Sequence, residues 1–265
     1  MNTVQLTSEP GRYPVVVTRI AQAQWQAVED DQVVGHGDVS HRPDGRAFIS
    51  IDAWHDAVFD QLARAMPADL PTPLHTVVDE SDLDSVSSWQ RAGFSTYRRE
   101  WSYLVPTDPQ VTGLDPARPP AGVTIVPAGE AQEGPLRTLA AAIREEVEAT
   151  VGWESMPAEV LPRPAGVTVV DPTKYAVAVE SGQYVGLLRL ATATRQPRIG
   201  LIAVRAGRHR RGIARALLAH VLGSLHGAGV ALATAEVDEA NGAARELFEG
   251  IGARRVSSSL ELVRR

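Results

Sequence analysis

The chain has 265 residues, of which 44% are hydrophobic and 22% are charged, and this composition is typical of a globular protein rather than a disordered one. Its formal net charge of −6 argues against general nucleic-acid binding. The sequence contains no cysteine, which excludes disulfides, thiolate nucleophiles and cysteine–zinc sites.

The start of the chain and the histidines give no sign of export or of metal binding. The opening residues MNTVQLTSEP lack the basic and apolar parts of a signal peptide, and no apolar run reaches the ~18 residues that a membrane span needs. We therefore expect a cytoplasmic protein that binds neither membrane nor nucleic acid. The 7 histidines are not spaced as a compact ligand set, so we expect no metal.

In the first half, apolar periodicity between turn residues predicts a succession of strands and helices. These are strands 13–20, 22–29, 32–40 and 46–51, helix 55–66, strand 74–79, helix 82–92 and strand 95–105. The proline-rich stretch 106–121 follows and reads as a linker.

The second half is predicted in the same way. It contains strand 123–127, a helical region 130–161 broken near Gly152, strands 174–180, 183–192 and 198–204, helix 212–227, strand 230–237, helix 241–251 and strand 255–263. A turn at residues 181–183 favours a hairpin between two of these strands.

The two halves repeat one another. TVVDESDLDSVSSWQRAGF at residues 76–94 aligns without gaps on AEVDEANGAARELFEGIGA at residues 235–253, with Asp82 opposite Asn241 as helix cap and Trp89 opposite Phe248. The predicted fold is therefore α/β (α+β), with two similar domains at 1–105 and 122–265. Each is a mixed, mostly antiparallel twisted sheet flanked by helices.

A cationic glycine turn follows the apolar strand 198–204. Residues 204–218, VRAGRHRRGIARALL, place Arg208, Arg210, Arg211 and Gly212 at the start of an amphipathic helix. The first N–H groups of a helix and its dipole favour an anion, and arginines add charge-assisted hydrogen bonds to phosphate oxygens. This order predicts a pyrophosphate site whose amides and guanidinium groups begin at Arg208.

Two motifs in this half resemble the GNAT acetyltransferase superfamily. Residues 204–214 match its V-x-P-x-x-[QR]-x-x-G-x-[GA] loop for the CoA pyrophosphate, and residues 241–252 match its N-x-x-A-x-x-x-[YF]-x-x-x-G helix. The resemblance implies that acetyl-CoA is the co-substrate. It assigns CoA binding to Ile202, Ala203, Val204, Arg208, His209, Arg210, Arg211, Gly212, Ile213, Ala214, Arg215, Asn241, Ala244 and Phe248.

Three positions depart from the family pattern. Ala206 replaces the usual proline, and His209 stands where glutamine or arginine is preferred, although its backbone N–H can still serve a phosphate. Phe248 stands where many members place a tyrosine that protonates the departing thiolate. In the first half, residues 50–60 carry aspartates and Trp54 in place of the loop, so 1–105 resembles a truncated GNAT domain without a CoA site.

The resemblance also implies where catalysis would occur. Strands 199–204 and 230–237 would splay apart, with backbone groups of Ile202 and Val204 paired to the pantetheine arm. Glu236 and Asp238 are the nearest candidate bases by sequence, on one face of their strand that is either the site face or the solvent face. Trp153 and Glu154 are candidates for the acceptor pocket, whereas Glu145, Glu146 and Glu148 are more simply a solvated helical face.

The sequence supports two classes of function. The first is an N-acetyltransferase that moves an acetyl group directly from acetyl-CoA to a small-molecule or peptide amine; a mycothiol synthase-like acetyltransferase is a variant of it. The second is a CoA-binding regulatory module without turnover, which the missing tyrosine favours. A supporting role for the first half and a homodimer are both compatible with the sequence.

Overall fold

The computed structural model describes residues 14–42, 45–115, 118–150, 152, 170–192 and 196–265. The strands are β1 Val16–Ala21, β2 Gln24–Glu29, β3 Gln32–His41, β4 Ala47–Ala53, β5 Leu74–Asp79, β6 Ser95–Pro106, β7 Val123–Val126, β8 Tyr175–Glu180, β9 Gln183–Ala191, β10 Arg198–Val204, β11 Leu232–Asp238 and β12 Arg254–Arg264. The helices are α1 Asp56–Ala68, α2 Leu83–Arg91, α3 Pro109–Thr112, α4 Glu133–Glu148, α5 Ile213–Gly227 and α6 Gly242–Glu249. In the described part of the chain, none of the helices is long and apolar enough to cross a membrane.

The contacts divide the chain into two compact units, and the division falls inside two strands. The first unit comprises the described residues up to Arg99 together with Ser258–Arg265, and the second comprises Glu100–Ser257. This differs from the predicted boundaries, which assigned 95–105 wholly to the first domain and 255–263 wholly to the second. The last strand of each half thus contributes most of its length to the unit built by the other half.

The first unit is a mostly antiparallel sheet with both helices on one face. Its strand order is β1-β2-β3-β4-β5-β12-β6, and β4 pairs with β5 in parallel only at Ala47↔Leu74 and Phe48↔His75. Residues 259–264 of β12 pair antiparallel with β5. Helices α1 and α2 cover one face and form the core with the sheet. The core side chains include Trp25, Val58, Leu62, Met66, Trp89, Leu260 and Leu262.

Two glycines of β3 lie directly under α1, and they allow a prediction about packing. A Cβ at Gly35 would stand 2.7 Å from Val58 Cγ1 and 3.1 Å from the Asp52 carbonyl oxygen, whereas a Cβ at Gly37 would meet the flexible end of Met66. We expect Gly35→Ala to lower the free energy of unfolding by about 1–3 kcal/mol, and Gly37→Ala by less, because a methionine end can move. Urea unfolding of both variants tests this; equal losses would contradict it.

The second unit is a mixed sheet covered on both faces. The order of its described strands is β6-β11-β10-β9-β8-β7; residues 100–106 of β6 are antiparallel to β11, and among these described strands only β10 and β11 are parallel. Helices α5 and α6 pack on one face in a core that includes Leu217, Leu222 and Phe248. Helix α4 packs on the other face through Leu136, Leu139 and Ile143. The Ser181–Gly182 turn joins β8 and β9 as the predicted hairpin.

The stretch predicted as a linker carries structure of its own in its described part. It contains α3, and Leu114 is buried in the core of the second unit. The Thr107 hydroxyl donates to the Ala231 carbonyl oxygen (3.0 Å). The proline-rich composition predicted a linker, but prolines also suit the first turn of a short helix, as Pro109 does here.

Helices α2 and α6 show that the sequence repeat is also a structural one. The Asp82 and Asn241 side chains cap them by accepting from the N–H groups of Ser85 (3.0 Å) and Ala244 (3.1 Å). Beyond the ends of the two helices, the Phe94 N–H donates to the Trp89 carbonyl oxygen and the Ala253 N–H donates to the Phe248 carbonyl oxygen, both at 3.1 Å. The predicted caps are confirmed, and the helix after Asn241 ends at Glu249, two residues earlier than predicted.

Candidate active site

The strands β10 and β11 separate toward their carboxyl ends. They pair only at Arg198↔Thr234 and Ile199↔Ala235, although both strands continue for several residues. By contrast, β10 stays paired with β9 as far as Val204, with an irregularity between Ile199 and Leu201. A gap therefore opens in the sheet beside the second half of β10.

Backbone groups of β10 point into this gap. The Arg205 N–H donates to the Val185 carbonyl oxygen (2.9 Å), and in an antiparallel pair alternate residues face the partner strand. Ala203 shares the orientation of Arg205, so its backbone is turned to β9 and not to the gap, and its place in the CoA-binding run stays a prediction. The backbone groups of Ile202 and Val204 point away from β9, as predicted.

The turn after β10 forms a concave set of amides at the start of α5. Arg210 and Gly212 have left-handed backbone with φ 58° and 80°, and α5 begins at Ile213 without a side-chain cap. Within the described ranges, no backbone carbonyl outside the helix accepts from the N–H groups of residues 210–215. Successive amides in such alternating conformations suit an anion, as does the helix dipole.

The available amides begin later than the sequence predicts. The N–H of Arg208 donates to the Arg205 carbonyl (2.8 Å), and that of His209 points to the Ala206 carbonyl (3.4 Å). Residues 206–208 form a short 3₁₀ turn that consumes these donors. The His209 amide, which the sequence predicts to serve a phosphate, thus faces a protein carbonyl in the free protein, and in the described part of the chain the amides that face no carbonyl outside the helix start at Arg210.

The arginines of the turn fall into two pairs. Arg208 and Arg211 both contact the carboxylate of Glu180 at the end of β8, at 2.5 Å and 2.6 Å. Arg210 is 88% exposed and 3.9 Å from Glu246, and the exposed Arg215 reaches only the Gly250 carbonyl at 3.5 Å. A bound anion would therefore meet Arg210 and Arg215 directly, but would compete with Glu180 for the other two.

Glu146 joins helix α4 to the same turn. Its carboxylate accepts from Arg205 Nε (2.6 Å) and from the Ala206 N–H (2.7 Å). Burial alone would raise the pKa of Glu146, but these two hydrogen bonds and the nearby charges of Arg205 and His209 outweigh it, so the pKa is lowered. Glu146 is thus a structural contact of the turn rather than part of a solvated face, a role that helical spacing could not reveal.

The aromatic position on α6 offers no proton donor. Phe248 is buried and stacks on Tyr103 with ring centroids 6.0 Å apart. The Tyr103 hydroxyl donates to Glu249 Oε1 (2.9 Å) and accepts from Arg255 Nε (3.0 Å). Burial, followed by the Glu249 contact, raises the Tyr103 pKa. This hydroxyl is hydrogen-bonded to the charged side chains of Glu249 and Arg255 and does not replace the missing tyrosine of α6.

Both candidate bases lie on the less buried face of β11. Ala233, Ala235 and Val237 face the core of α5 and α6, so Glu236 and Asp238 face the side on which α4 packs. Glu236 accepts from Arg198 Nη1 (3.0 Å). Asp238 accepts from the Ala240 N–H (2.7 Å) in the turn before α6. Each carboxylate therefore already has a partner in the free protein.

Comparison with known proteins connects this geometry to a family. The family model of the acetyltransferase (GNAT) domain matches residues 162–262, a range that includes the separating strands, the turn and α6. Residues 162–262 thus match the acetyltransferase (GNAT) domain. No curated protein matches the chain.

Solved structures extend the likeness of fold to nearly the whole chain. A GCN5-related N-acetyltransferase from Sphaerobacter thermophilus is 20% identical with a TM-score of 0.60, over 93% of this chain and 82% of its own. A tandem GNAT protein from the clavulanic acid biosynthesis pathway is 15% identical with a TM-score of 0.62, over 97% and 84%. A GNAT-family acetyltransferase from Colwellia psychrerythraea is 12% identical with a TM-score of 0.58, over 91% and 85%.

The face of the second unit that α4 covers contains two neighbouring polar side chains, Tyr175 and Arg189, that the sequence did not reveal. Tyr175, Arg189 and Leu201 lie opposite one another on β8, β9 and β10, on the face that α4 covers. Burial raises the Tyr175 pKa despite the opposing effect of Arg189, and burial lowers the pKa of Arg144 on α4. An arginine in the apolar run of β9 was the one available signal.

Two further predictions from the sequence concern the acceptor pocket and metal binding. Trp153 and Glu154 lie outside the described residues. Among the residues that are described, no group of three or more His, Asp or Glu side chains is placed to hold a metal ion.

Proposed function

We propose that the protein is an acetyl-CoA-dependent N-acetyltransferase that transfers the acetyl group directly to the amine of a small molecule or peptide. The observation that carries this proposal is the combination of separated strands β10 and β11 with the open amides of residues 210–215 at one end of the gap. We further propose that it acts in the cytoplasm.

The residues fit CoA in two places. The amides of residues 210–215, with Arg210 and Arg215, would hold the pyrophosphate. The backbone of Ile202 and Val204 would pair with the amides of the pantetheine arm as a strand would. Bound acetyl-CoA supplies an activated thioester carbonyl. Asn241 and Ala244 begin α6, whose buried Phe248 gives the site an apolar wall.

The acceptor amine must be neutral to attack, so a group on the α4 face has to take a proton, directly or through water. Glu236 lies on this face, and its partner Arg198 is at the level where β10 leaves β11. We propose Glu236 as the base and Asp238 as the alternative. Phe248 has no hydroxyl group that could protonate the departing thiolate. The negative charge of the thiolate would therefore be stabilised mainly by the N-terminal end of a helix and by solvent.

The second candidate function is a CoA-binding regulatory module without turnover. The observation that favours it is that three described groups that could transfer a proton already have hydrogen-bond partners: Glu236 accepts from Arg198, Asp238 accepts from the Ala240 N–H, and the Tyr103 hydroxyl donates to Glu249. This module would keep the amide set at residues 210–215 and bind CoA equally well.

We propose a supporting role for the first unit, in packing, pocket shaping or a homodimer. Its strands β4 and β5 also pair at two positions only. The following turn, however, has no glycine; it carries the exposed Asp52, Trp54 and Asp56. These carboxylates would repel a pyrophosphate.

Calorimetry with CoA and a thiol-release assay with acetyl-CoA and a panel of amines separate the two functions. We expect binding with thiol release that depends on an amine, and Arg210→Ala/Arg215→Ala should weaken binding because these two exposed charges lie beside the amides of residues 210–215. Asp52→Ala/Asp56→Ala is the matched control and should bind like the wild type. Binding without thiol release across the panel would favour the module, and no binding would reject both.

A further inference from the structure

The carbonyl of Val204 already has a hydrogen-bond partner in the free protein, and it is a side chain. His209 Nε2 lies 2.7 Å from the Val204 carbonyl oxygen. This carbonyl points into the gap between β10 and β11, where β11 has moved too far away to pair with it. The imidazole therefore supplies the donor that a neighbouring strand would otherwise provide.

The position of the His209 imidazole allows it to move away from the Val204 carbonyl oxygen. His209 is exposed, and its backbone (φ −64°, ψ 158°) has left the 3₁₀ turn, so the side chain folds back over the end of β10. The charged group that interacts with it from the other side of the turn is Glu146 on α4, which remains bonded to Arg205 and Ala206. Moving the ring would therefore leave the turn itself intact.

We propose that the His209 imidazole holds the place of a ligand amide on the Val204 carbonyl, and that the pantetheine arm of CoA displaces it on binding. This inference rests on the proposed function, because the arm must run along β10. His209 is thereby a specificity-determining residue: a ligand with an amide N–H at this position replaces the hydrogen bond it breaks, whereas a ligand without one gains nothing from moving the ring.

The test compares two ligands that share the phosphates and differ in the arm. CoA and adenosine 3′-phosphate 5′-diphosphate, which has the same phosphates but lacks the pantetheine arm, are titrated calorimetrically into the wild type and into His209→Ala. Because the variant has no ring to displace, CoA should bind about three- to tenfold more tightly, the range expected for one exposed hydrogen bond. The arm-less diphosphate should bind both proteins equally. His226→Ala, which removes another exposed histidine of the same domain, should change neither affinity.

The outcomes are distinguishable. Equal or weaker CoA binding by His209→Ala would overturn the inference, and so would a gain that is equal for both ligands, since the ring would then act at the phosphates. A wild type that binds neither ligand would instead reject the proposed function. Circular dichroism of the variant checks that the exposed substitution leaves the fold unchanged.

Discussion

Valine in place of Gly212 is expected to weaken CoA binding about tenfold or more. Gly212 has φ 80°, a conformation that costs an L-residue about 1–2 kcal/mol and a β-branched residue more. A Cβ there would also stand 3.4 Å from Pro120 Cγ. Gly212 is the residue that turns the chain into α5, so a change of its backbone reorients the amides of residues 210–215. Titration calorimetry with CoA measures the loss.

The same turn provides the matched control. Gly207 is not in the left-handed region, and a Cβ placed on it meets no atom within 4 Å. Gly207→Val should therefore bind CoA within about twofold of the wild type, since an open surface position carries no packing penalty. Thermal unfolding of both variants checks that they are folded. Equal loss of affinity in the two variants would show that the turn tolerates no side chain anywhere and would remove the special role of Gly212.

Much of the fold was predictable because it is encoded locally. Alternating residues marked most of the strands to within two residues of their observed ends, and the oxygen-bearing caps Asp82 and Asn241 marked the starts of α2 and α6. The position of the amide set was also predictable to within two residues, because it follows from a glycine at a strand–helix junction. These features depend on a few neighbouring residues, and the sequence contains those neighbours.

The features that could not be predicted from the sequence depend on contacts with residues that are distant in the chain. Nothing in residues 255–263 indicates that they pair with β5 rather than within their own half, since any exposed strand edge offers the same hydrogen bonds. Glu146 resembled a solvated residue because helical spacing does not reveal the contact with Arg205, 59 residues away. The occupation of Arg208 and Arg211 by Glu180 was missed for the same reason.

Removing the carboxylate of Glu261 is expected to be among the most destabilising single substitutions in the chain. This β12 residue is 3% exposed and contacts Arg46 (2.7 Å), Arg98 (2.8 Å) and His75 (2.8 Å) in the first unit. Glu261→Ala would leave two guanidinium groups buried without this partner, which typically costs about 3–5 kcal/mol. Glu236→Ala breaks a far more exposed pair with Arg198 and should cost about 1 kcal/mol or less. Urea unfolding compares the two, and similar losses would contradict the prediction.

The Glu261 carboxylate should also make the free energy of unfolding depend on pH in the acidic range. Burial would raise the pKa of Glu261, but contact with His75 and the charges of Arg98 and Arg46 outweigh it, so its folded-state pKa is lowered. A group whose pKa is lower in the folded state stabilises above its unfolded value, about 4.3 for glutamate, and this stability is lost as the pH falls further toward the folded value. Wild-type stability should therefore decline below about pH 4 more steeply than that of Glu261→Gln, which has no proton to take up. Parallel declines of the two proteins between pH 5 and pH 3 would show that the charge of Glu261 does not hold β12 in the first unit.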